Sequence, residues 1–251
     1  MKIGICMWYD DNIKVWSDNN MKINRKYCDK YNYDLIKCNK IRVPNKSKHF
    51  ERYALLYEKL DKYDYLMWID SDAHFYIDSP PLTNIIKCYP NKLFILSGDY
   101  DRYNNNYLNN TNEHAINSGV FIVKNYITSK FFLKQIYSND ILYNNRISPY
   151  HDQGIVRLLY RDNINKFKDN SIVIPYLVLQ KFGKYPSHTG FKPISEDIFK
   201  KYIIPYYKKF NLKYPLINHL VSQCGDKTRI VESNKYLNTP YTPHDIISKY
   251  L

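Results

Sequence analysis

An apolar run that ends in two aspartates constrains the fold of this 251-residue chain more than any other segment. Tyr65–Ile69 is apolar or aromatic throughout, which is typical of a strand buried on both faces of a sheet. Because side chains alternate along an extended chain, Asp70 and Asp72 can point to one side with Ser71 turned away. Ligands of open α/β sheets bind at the carboxyl ends of strands. The pair therefore predicts a site for a hard divalent cation bound to phosphate oxygens, and the competing interpretation is a solvated turn after a core strand.

The segments before and after this strand predict an α/β fold with a parallel sheet. Strands and helices alternate in the first 76 residues, which requires crossover connections between parallel strands. The predicted elements up to the aspartates are a strand at Lys2–Trp8, a loop at Tyr9–Asn20, a helix through Met21, Tyr27, Cys28 and Tyr31 capped by Asp18 or Asn19, a strand at Tyr33–Ile36 and a helix from Phe50 to Leu60. Further on we expect strands at Leu93–Leu96, Val120–Val123 and, interrupted by proline, Ser171–Leu179, with helices at Phe131–Tyr137 and Gly154–Tyr160.

Composition restricts the domain number and the partners. No stretch has the composition of a linker, so residues 1–251 are expected to form one domain. With 37 Lys and Arg against 24 Asp and Glu, the net charge of +13 favours anionic partners such as nucleotides, acidic glycans, nucleic acid or a membrane surface. The basic residues are scattered, however, and no nucleic-acid-binding module is recognisable.

The apolar and cysteine content predicts a soluble protein in a reducing compartment. The N-terminal apolar run is too short for a secretory signal, and no other stretch approaches the roughly 20 residues that span a bilayer. The five cysteines have no paired spacing that would indicate a disulfide framework or a zinc site. We expect a cytoplasmic location, which includes a viral factory in a host cell, and the oligomeric state stays open.

Three segments, in order along the chain, resemble glycosyltransferases of the GT-A fold. They are Tyr65–Phe75 with its Asp-Ser-Asp, Asn117–Asn125 and His151–Gly154. Earlier in the chain, the first helix and second strand of family 34 are similar to the segment that contains Asn24, Tyr27 and Tyr31–Leu35. The resemblance is to family 34, the yeast-type α-galactosyltransferase and α-mannosyltransferase group, with kinship to the glycogenin-like family 8. It covers residues 1–160 and, beyond them, one histidine. The resemblance implies a Rossmann-like nucleotide-diphospho-sugar transferase fold with a mainly parallel central sheet flanked by helices.

The same resemblance implies a function. Such enzymes use Mn²⁺ or Mg²⁺ to transfer a hexose from a nucleotide sugar to a hydroxyl of a glycan or protein acceptor, with retention at the anomeric carbon. Uridine is the commonest base among them. The departing nucleoside diphosphate gains charge, and a bound cation stabilises that charge.

The resemblance also assigns the cation ligands. Asp72 would ligate the metal, Asp70 would share the metal or hold the ribose, and His219 would complete the coordination. Similar enzymes place glycine and lysine soon after this histidine, whereas here the gap before Gly225 is longer. Lys227 or Arg229 would contact the diphosphate, and the alternative for His219 is a packed histidine at a strand end.

Five further residues belong to the expected donor site. Asn117, in an Asn-Ser-Gly turn, would bond a sugar hydroxyl or the acceptor, and Gly119 would allow close backbone approach. Asp152 and Gln153 are similar to the Asp-Gln pair beside the donor sugar, although Asp152 could equally be a helix N-cap. Arg52 is similar to a basic residue near the diphosphate and sugar, and its alternative is a solvated helix charge.

Two mechanisms and two competing functions stay open at this point. Retention can proceed by attack from the face that the diphosphate leaves, which we favour, or through a covalent intermediate on a carboxylate. A haloacid-dehalogenase-type phosphatase or phosphotransferase also begins with Asp-x-Asp after a buried strand, but such proteins have Thr or Val where this chain has His74. The third hypothesis is a non-catalytic polyanion binder.

Overall fold

The computed structural model describes residues 1–76, 78–99, 116–147, 151–182, 197, 199–220 and 229–231. The elements are β1 Ile3–Trp8, α1 Lys14–Tyr31, β2 Asp34–Cys38, α2 Glu51–Lys59, β3 Tyr65–Ile69, β4 Ala73–Phe75, α3 Thr83–Ile86, β5 Phe94–Gly98, β6 Ile116–Lys124, α4 Ile127–Ser138, α5 Asp140–Asn144, α6 His151–Arg161, β7 Ser171–Ile174, β8 Gln180–Phe182, α7 Ile204–Phe210 and β9 Ile217–His219. Within these ranges no helix combines the length and the apolar character that crossing a bilayer requires.

The central sheet confirms the predicted α/β class. Its strand order is β2-β1-β3-β6-β5-β7, and β6 alone among these strands runs antiparallel to its neighbours. One apolar cluster covers each face: the first includes Met67 and Ile122, and the second includes Leu66 and Phe121. The alternation of these neighbours between the two clusters shows that β3 and β6 are buried on both sides, as their continuous apolar sequences predict.

A second sheet of three short strands, in the order β4-β9-β8, lies at the carboxyl end of β3. β4 and β9 are antiparallel and place Ala73 opposite His219. β8 and β9 are parallel and pair Phe182 with His219. This small sheet brings residues from the last third of the described chain to the Asp-Ser-Asp segment.

Three local predictions were wrong. α1 begins at Lys14 rather than after Asp18, because Trp16, Ser17 and Asn20 in the polar stretch form its buried face. Asn117–Gly119 is not a turn but part of β6, since pairing with β5 overrides its turn-like composition through an irregular register at Ser97. The strand predicted over Ser171–Leu179 ends at Ile174, where Pro175 cannot donate to a ladder.

Candidate functional site

The two aspartates lie in a cleft of about 650 Å³ at the carboxyl end of β3. The backbone N–H of Asp70 donates to the carbonyl oxygen of Gly119 at 2.9 Å, which extends the β3–β6 pairing by one residue. The chain turns at Ser71, and the N–H of Ala73 donates back to the carbonyl oxygen of Asp70 at 3.0 Å. Hydrogen bonds before and after Ser71 therefore fix the backbone that carries the two carboxylates.

His219 joins the two aspartates. Carboxylate oxygens of Asp70 and Asp72 and a ring nitrogen of His219 all lie within 4.8 Å of one another. The Nε2 atom of His219 is 3.0 Å from Oδ1 of Asp72 and 3.8 Å from Oδ2 of Asp70. Two carboxylate oxygens and one imidazole nitrogen suit Mn²⁺, and Mg²⁺ also takes such carboxylates, so this group fits the cation that the sequence predicts.

The charges of the three groups depend on one another. Burial raises the pKa of the Asp70 carboxyl, although Arg52 and His219 oppose this. Burial acts in the same direction on Asp72, but the His219 imidazole and the Arg229 guanidinium outweigh it and lower the pKa. Burial acts to lower the pKa of His219, but Asp72 and Asp70 outweigh it and raise the pKa. An incoming cation would displace any proton that these groups hold, so cation binding and the charges of the group would be linked.

Arg52 connects this group to the other side of the cleft. Its Nη1 atom is 3.3 Å from Oδ1 of Asp70, and its Nε atom is 3.3 Å from Oδ2 of Asp152. The same guanidinium donates to the carbonyl oxygens of His49 and Ser118. With 5% of its surface exposed, Arg52 is not a solvated helix charge but the link between the half-buried carboxylate of Asp70 and the buried carboxylate of Asp152.

Asp152 and Gln153 are held by β6. The Ser118 hydroxyl donates to Oδ2 of Asp152 at 3.1 Å, and the Ser118 N–H donates to Oε1 of Gln153 at 2.9 Å. Nε2 of Gln153 faces Oδ2 of Asp99 at 3.4 Å. Since α6 begins at His151, Asp152 lies in the first helical turn rather than in the N-cap position before Gly154, where its charge still suits the helix dipole.

Asn117 and Gly119 line the cleft between these two groups. Oδ1 of Asn117 accepts the N–H of Gly119 at 2.8 Å. A Cβ atom on Gly119 would lie 2.4 Å from Cε1 of His219 and 2.8 Å from Oδ2 of Asp70. Glycine at this position is therefore what permits His219 and Asp70 to approach β6.

The last third of the chain also contributes a positively charged side chain, that of Arg229. Nη2 of Arg229 is 3.4 Å from Oδ2 of Asp72, its Nε donates to the carbonyl oxygen of Leu220, and its guanidinium lies 4.8 Å from the centre of the Trp16 ring. Lys227, the other candidate for the diphosphate contact, lies outside the described residues. Among the described residues, Arg229 is thus the candidate for the diphosphate contact that lies beside Asp72.

Other residues of the site were missed by the sequence reasoning. Asn20 and Asn24, four apart on α1, hold the aspartate segment: their Nδ2 atoms donate to the carbonyl oxygens of Ser71 and Ala73 at 3.0 and 3.1 Å. Gln180 accepts a hydrogen bond from His219. Two amides on one inward helix face give a weak sequence signal for such a support, whereas an isolated glutamine gives none.

His74 does not belong to the group despite its position next to the aspartates. Its ring lies between Asn20 and Asn218, and burial lowers its pKa to about 3. It is therefore a neutral core histidine. His49 and His151 stack on each other at the rim of the cleft, with ring centres 5.1 Å apart.

Comparison with solved structures shows the fold, whereas no family model and no curated protein sequence matches the chain. A glycosyltransferase involved in glycosylation of the major capsid of PBCV-1 aligns over 93% of this chain and 100% of its own, with 17% identity and a TM-score of 0.63. The bifunctional glycosyltransferase WbbM aligns over 88% of this chain and 46% of its own, with 15% identity and a TM-score of 0.51. The galactosyltransferase LgtC, solved with donor and acceptor sugar analogues, aligns over 96% and 98%, with 16% identity and a TM-score of 0.49. The chain thus has the GT-A fold that its sequence predicts.

Proposed function

We propose that this protein is a cation-dependent glycosyltransferase that moves a hexose from a nucleotide sugar to a hydroxyl of a glycan or protein acceptor, with retention at the anomeric carbon. The observation that carries the proposal is the convergence of Asp70, Asp72 and His219 within 4.8 Å, in a cleft that Asp152 and Gln153 also line. The GT-A fold, shared with the PBCV-1 enzyme, supports the same reading by analogy.

The cleft has the parts that a nucleotide sugar requires. Mn²⁺ or Mg²⁺ held by Asp70, Asp72 and His219 would stabilise the charge of the departing diphosphate. Arg229 supplies a guanidinium beside these ligands for the same phosphates. Trp8, Asp10, Asn12 and Trp16 line the cleft as well and offer aromatic faces and hydrogen-bonding groups to the nucleoside, for which we propose uridine.

Asp152, Gln153 and Asn117 would orient the donor sugar. Asp152 is 2% exposed, is paired with Arg52 and accepts from Ser118, so its charge is already stabilised by the protein. A carboxylate in that state binds sugar hydroxyls well and attacks carbon poorly, because ion pairing lowers its nucleophilicity. We therefore retain attack from the face of the departing diphosphate, whose phosphate oxygen takes the proton of the acceptor hydroxyl. Arg52, which contacts both carboxylates at 3.3 Å, would hold Asp70 and Asp152 at their spacing.

The test is a screen of nucleotide sugars for release of nucleoside diphosphate with Mn²⁺, Mg²⁺ or EDTA. We expect cation-dependent release with at least one donor, its loss in Asp72→Asn, and full activity in the control Asp61→Asn, which removes an exposed charge paired with Lys130. Release of inorganic phosphate instead would favour the phosphatase alternative. Salt-sensitive polyanion binding without turnover would favour the non-catalytic one. Either result, or full activity of Asp72→Asn, would refute the proposal.

A further inference from the structure

Asp70, Asp72 and His219 form the candidate cation group, and the buried side-chain amide of Gln180 contacts its imidazole. The side chain of Gln180 is fully buried, and Oε1 lies 2.8 Å from Nδ1 of His219. β8 pairs in parallel with β9, with Gln180 opposite Ile217, so the side chains of Gln180, Ile217 and His219 lie on one face of the small sheet. The imidazole thus has Gln180 on one nitrogen and the aspartates on the other.

The polar atoms of Gln180 indicate why a glutamine occupies this position. Its Nε2 atom is buried and has no hydrogen-bond partner among the described residues. An unpaired buried donor destabilises the folded state, and a methionine of similar shape would avoid that loss. The interaction that favours glutamine at this position is therefore made by its side-chain oxygen, which within the described chain accepts a hydrogen bond from the Nδ1–H of His219.

We infer that Gln180 is a positioning residue for the cation: its carbonyl oxygen fixes the Nδ1–H form and the ring orientation of His219, so that Nε2 faces Asp70 and Asp72. Histidines that bind metals commonly donate their other N–H to such an acceptor, and loss of the acceptor typically lowers metal affinity about 10- to 100-fold. The inference rests on the proposed cation-dependent function and adds a residue that takes no part in contacting the substrate.

The small sheet offers a matched control. Asn218 is next to His219 on β9, is 2% exposed, and its amide lies 3.4 Å from the ring of His74 on the opposite face. Replacement of Asn218 by methionine removes an equally buried amide from the same sheet without touching Asp70, Asp72 or His219. Damage to the sheet in general would affect both variants, whereas loss of a positioning contact would affect only Gln180→Met.

The experiment is a calorimetric titration of the full chain with Mn²⁺ alone, for wild type, Gln180→Met, Gln180→Glu and Asn218→Met. We expect Gln180→Met to bind about 10- to 100-fold more weakly. Gln180→Glu, which restores an acceptor oxygen, and Asn218→Met are expected to stay within about threefold of wild type or, for the glutamate, to bind more tightly. In NMR spectra the protected Nδ1 proton of His219 should be seen in wild type, Gln180→Glu and Asn218→Met and should be absent in Gln180→Met.

Three results would overturn the inference: Gln180→Met, shown to be folded by circular dichroism, binds Mn²⁺ like wild type; Asn218→Met loses as much affinity; or Gln180→Glu loses tenfold. The last of these decides the matter if Gln180→Met does not fold. Wild-type protein that binds no Mn²⁺ would instead refute the cation part of the proposed function. The two failures are therefore distinguishable without any measurement of sugar transfer.

Discussion

Substitution of Gly119 tests whether the close approach of His219 and Asp70 to β6 is needed for the candidate cation group to bind Mn²⁺. Replacing it by alanine places a methyl carbon 2.4 Å from Cε1 of His219, 2.8 Å from Oδ2 of Asp70 and 2.9 Å from Oδ1 of Asn117. Carbon atoms in contact normally stay about 3.5–4.0 Å apart, so the imidazole must retreat by about 1 Å. The backbone at Gly119 is tied to the end of β3, because its carbonyl oxygen accepts the N–H of Asp70 at 2.9 Å, so we expect the side chains rather than the backbone to move.

The expected cost follows from that displacement. Overpacking of this kind lowers the free energy of unfolding by about 1–3 kcal/mol. Because the new methyl group displaces the His219 imidazole, we expect Mn²⁺ affinity to fall about 10- to 100-fold, as it does when groups that orient a metal-binding histidine are removed. Calorimetric titration with Mn²⁺ measures the affinity, and urea unfolding without the cation measures the stability.

Gly4→Ala is the matched control. A Cβ atom on Gly4 would lie 2.8 Å from Cδ2 of Leu66 and 2.9 Å from Cε1 of Tyr63, so it also overpacks the fold, but in β1 and outside the cleft. We expect this variant to lose stability and to bind Mn²⁺ like wild type. Wild-type affinity in Gly119→Ala, or an equal loss of affinity in Gly4→Ala, would refute the reasoning.

Two further predictions concern the charges around the group. Arg229→Met removes a guanidinium that would compete with a cation for Oδ2 of Asp72, so without nucleotide we expect Mn²⁺ affinity to rise about three- to tenfold. In the presence of Mn²⁺, the same variant should bind UDP more weakly, because it lacks a proposed phosphate contact. Calorimetry measures both affinities, and an unchanged Mn²⁺ affinity would contradict the competition. Asp152→Asn should reduce sugar transfer at least about 100-fold while UDP affinity changes less than about threefold, because the role that we propose for Asp152 is to orient the sugar and Arg52 keeps Asp70 as a partner. A larger loss of UDP affinity than of transfer would contradict this role.

Local sequence signals predicted the parts of the site that lie on long, well-marked elements. Tyr65–Ile69 is apolar over its whole length, so β3 and the position of Asp70 after it follow from the sequence alone. The α6 segment has an apolar face that begins directly after Gln153, which places Asp152 and Gln153 at its N-terminus. In both cases the position of the side chain follows from the strand or helix that carries it, without any pairing to a distant segment.

The remaining parts depend on pairing between distant segments. β8 and β9 are three residues long each, too short for any periodic pattern to mark them, so the contact between Gln180 and His219 could not be predicted. Asn117–Gly119 reads as a turn by composition and is part of a strand because Asn117 pairs with Ser97 of β5 and the carbonyl oxygen of Gly119 accepts the N–H of Asp70. The polar residues Lys14 to Asn20 read as a loop, and only the packing of Trp16, Ser17 and Asn20 shows why they are helical.

The pairing of β4 with β9 has a consequence for the synthesis of the protein. Asp72 and His219 are separated by 147 positions in the chain, and their contact closes the cation group. A nascent polypeptide has both aspartates early but gains the imidazole only when β9 has been translated and has docked against β4. Premature termination after β7 and before β9 would thus leave a chain that contains all six strands of the central sheet but lacks the proposed histidine ligand.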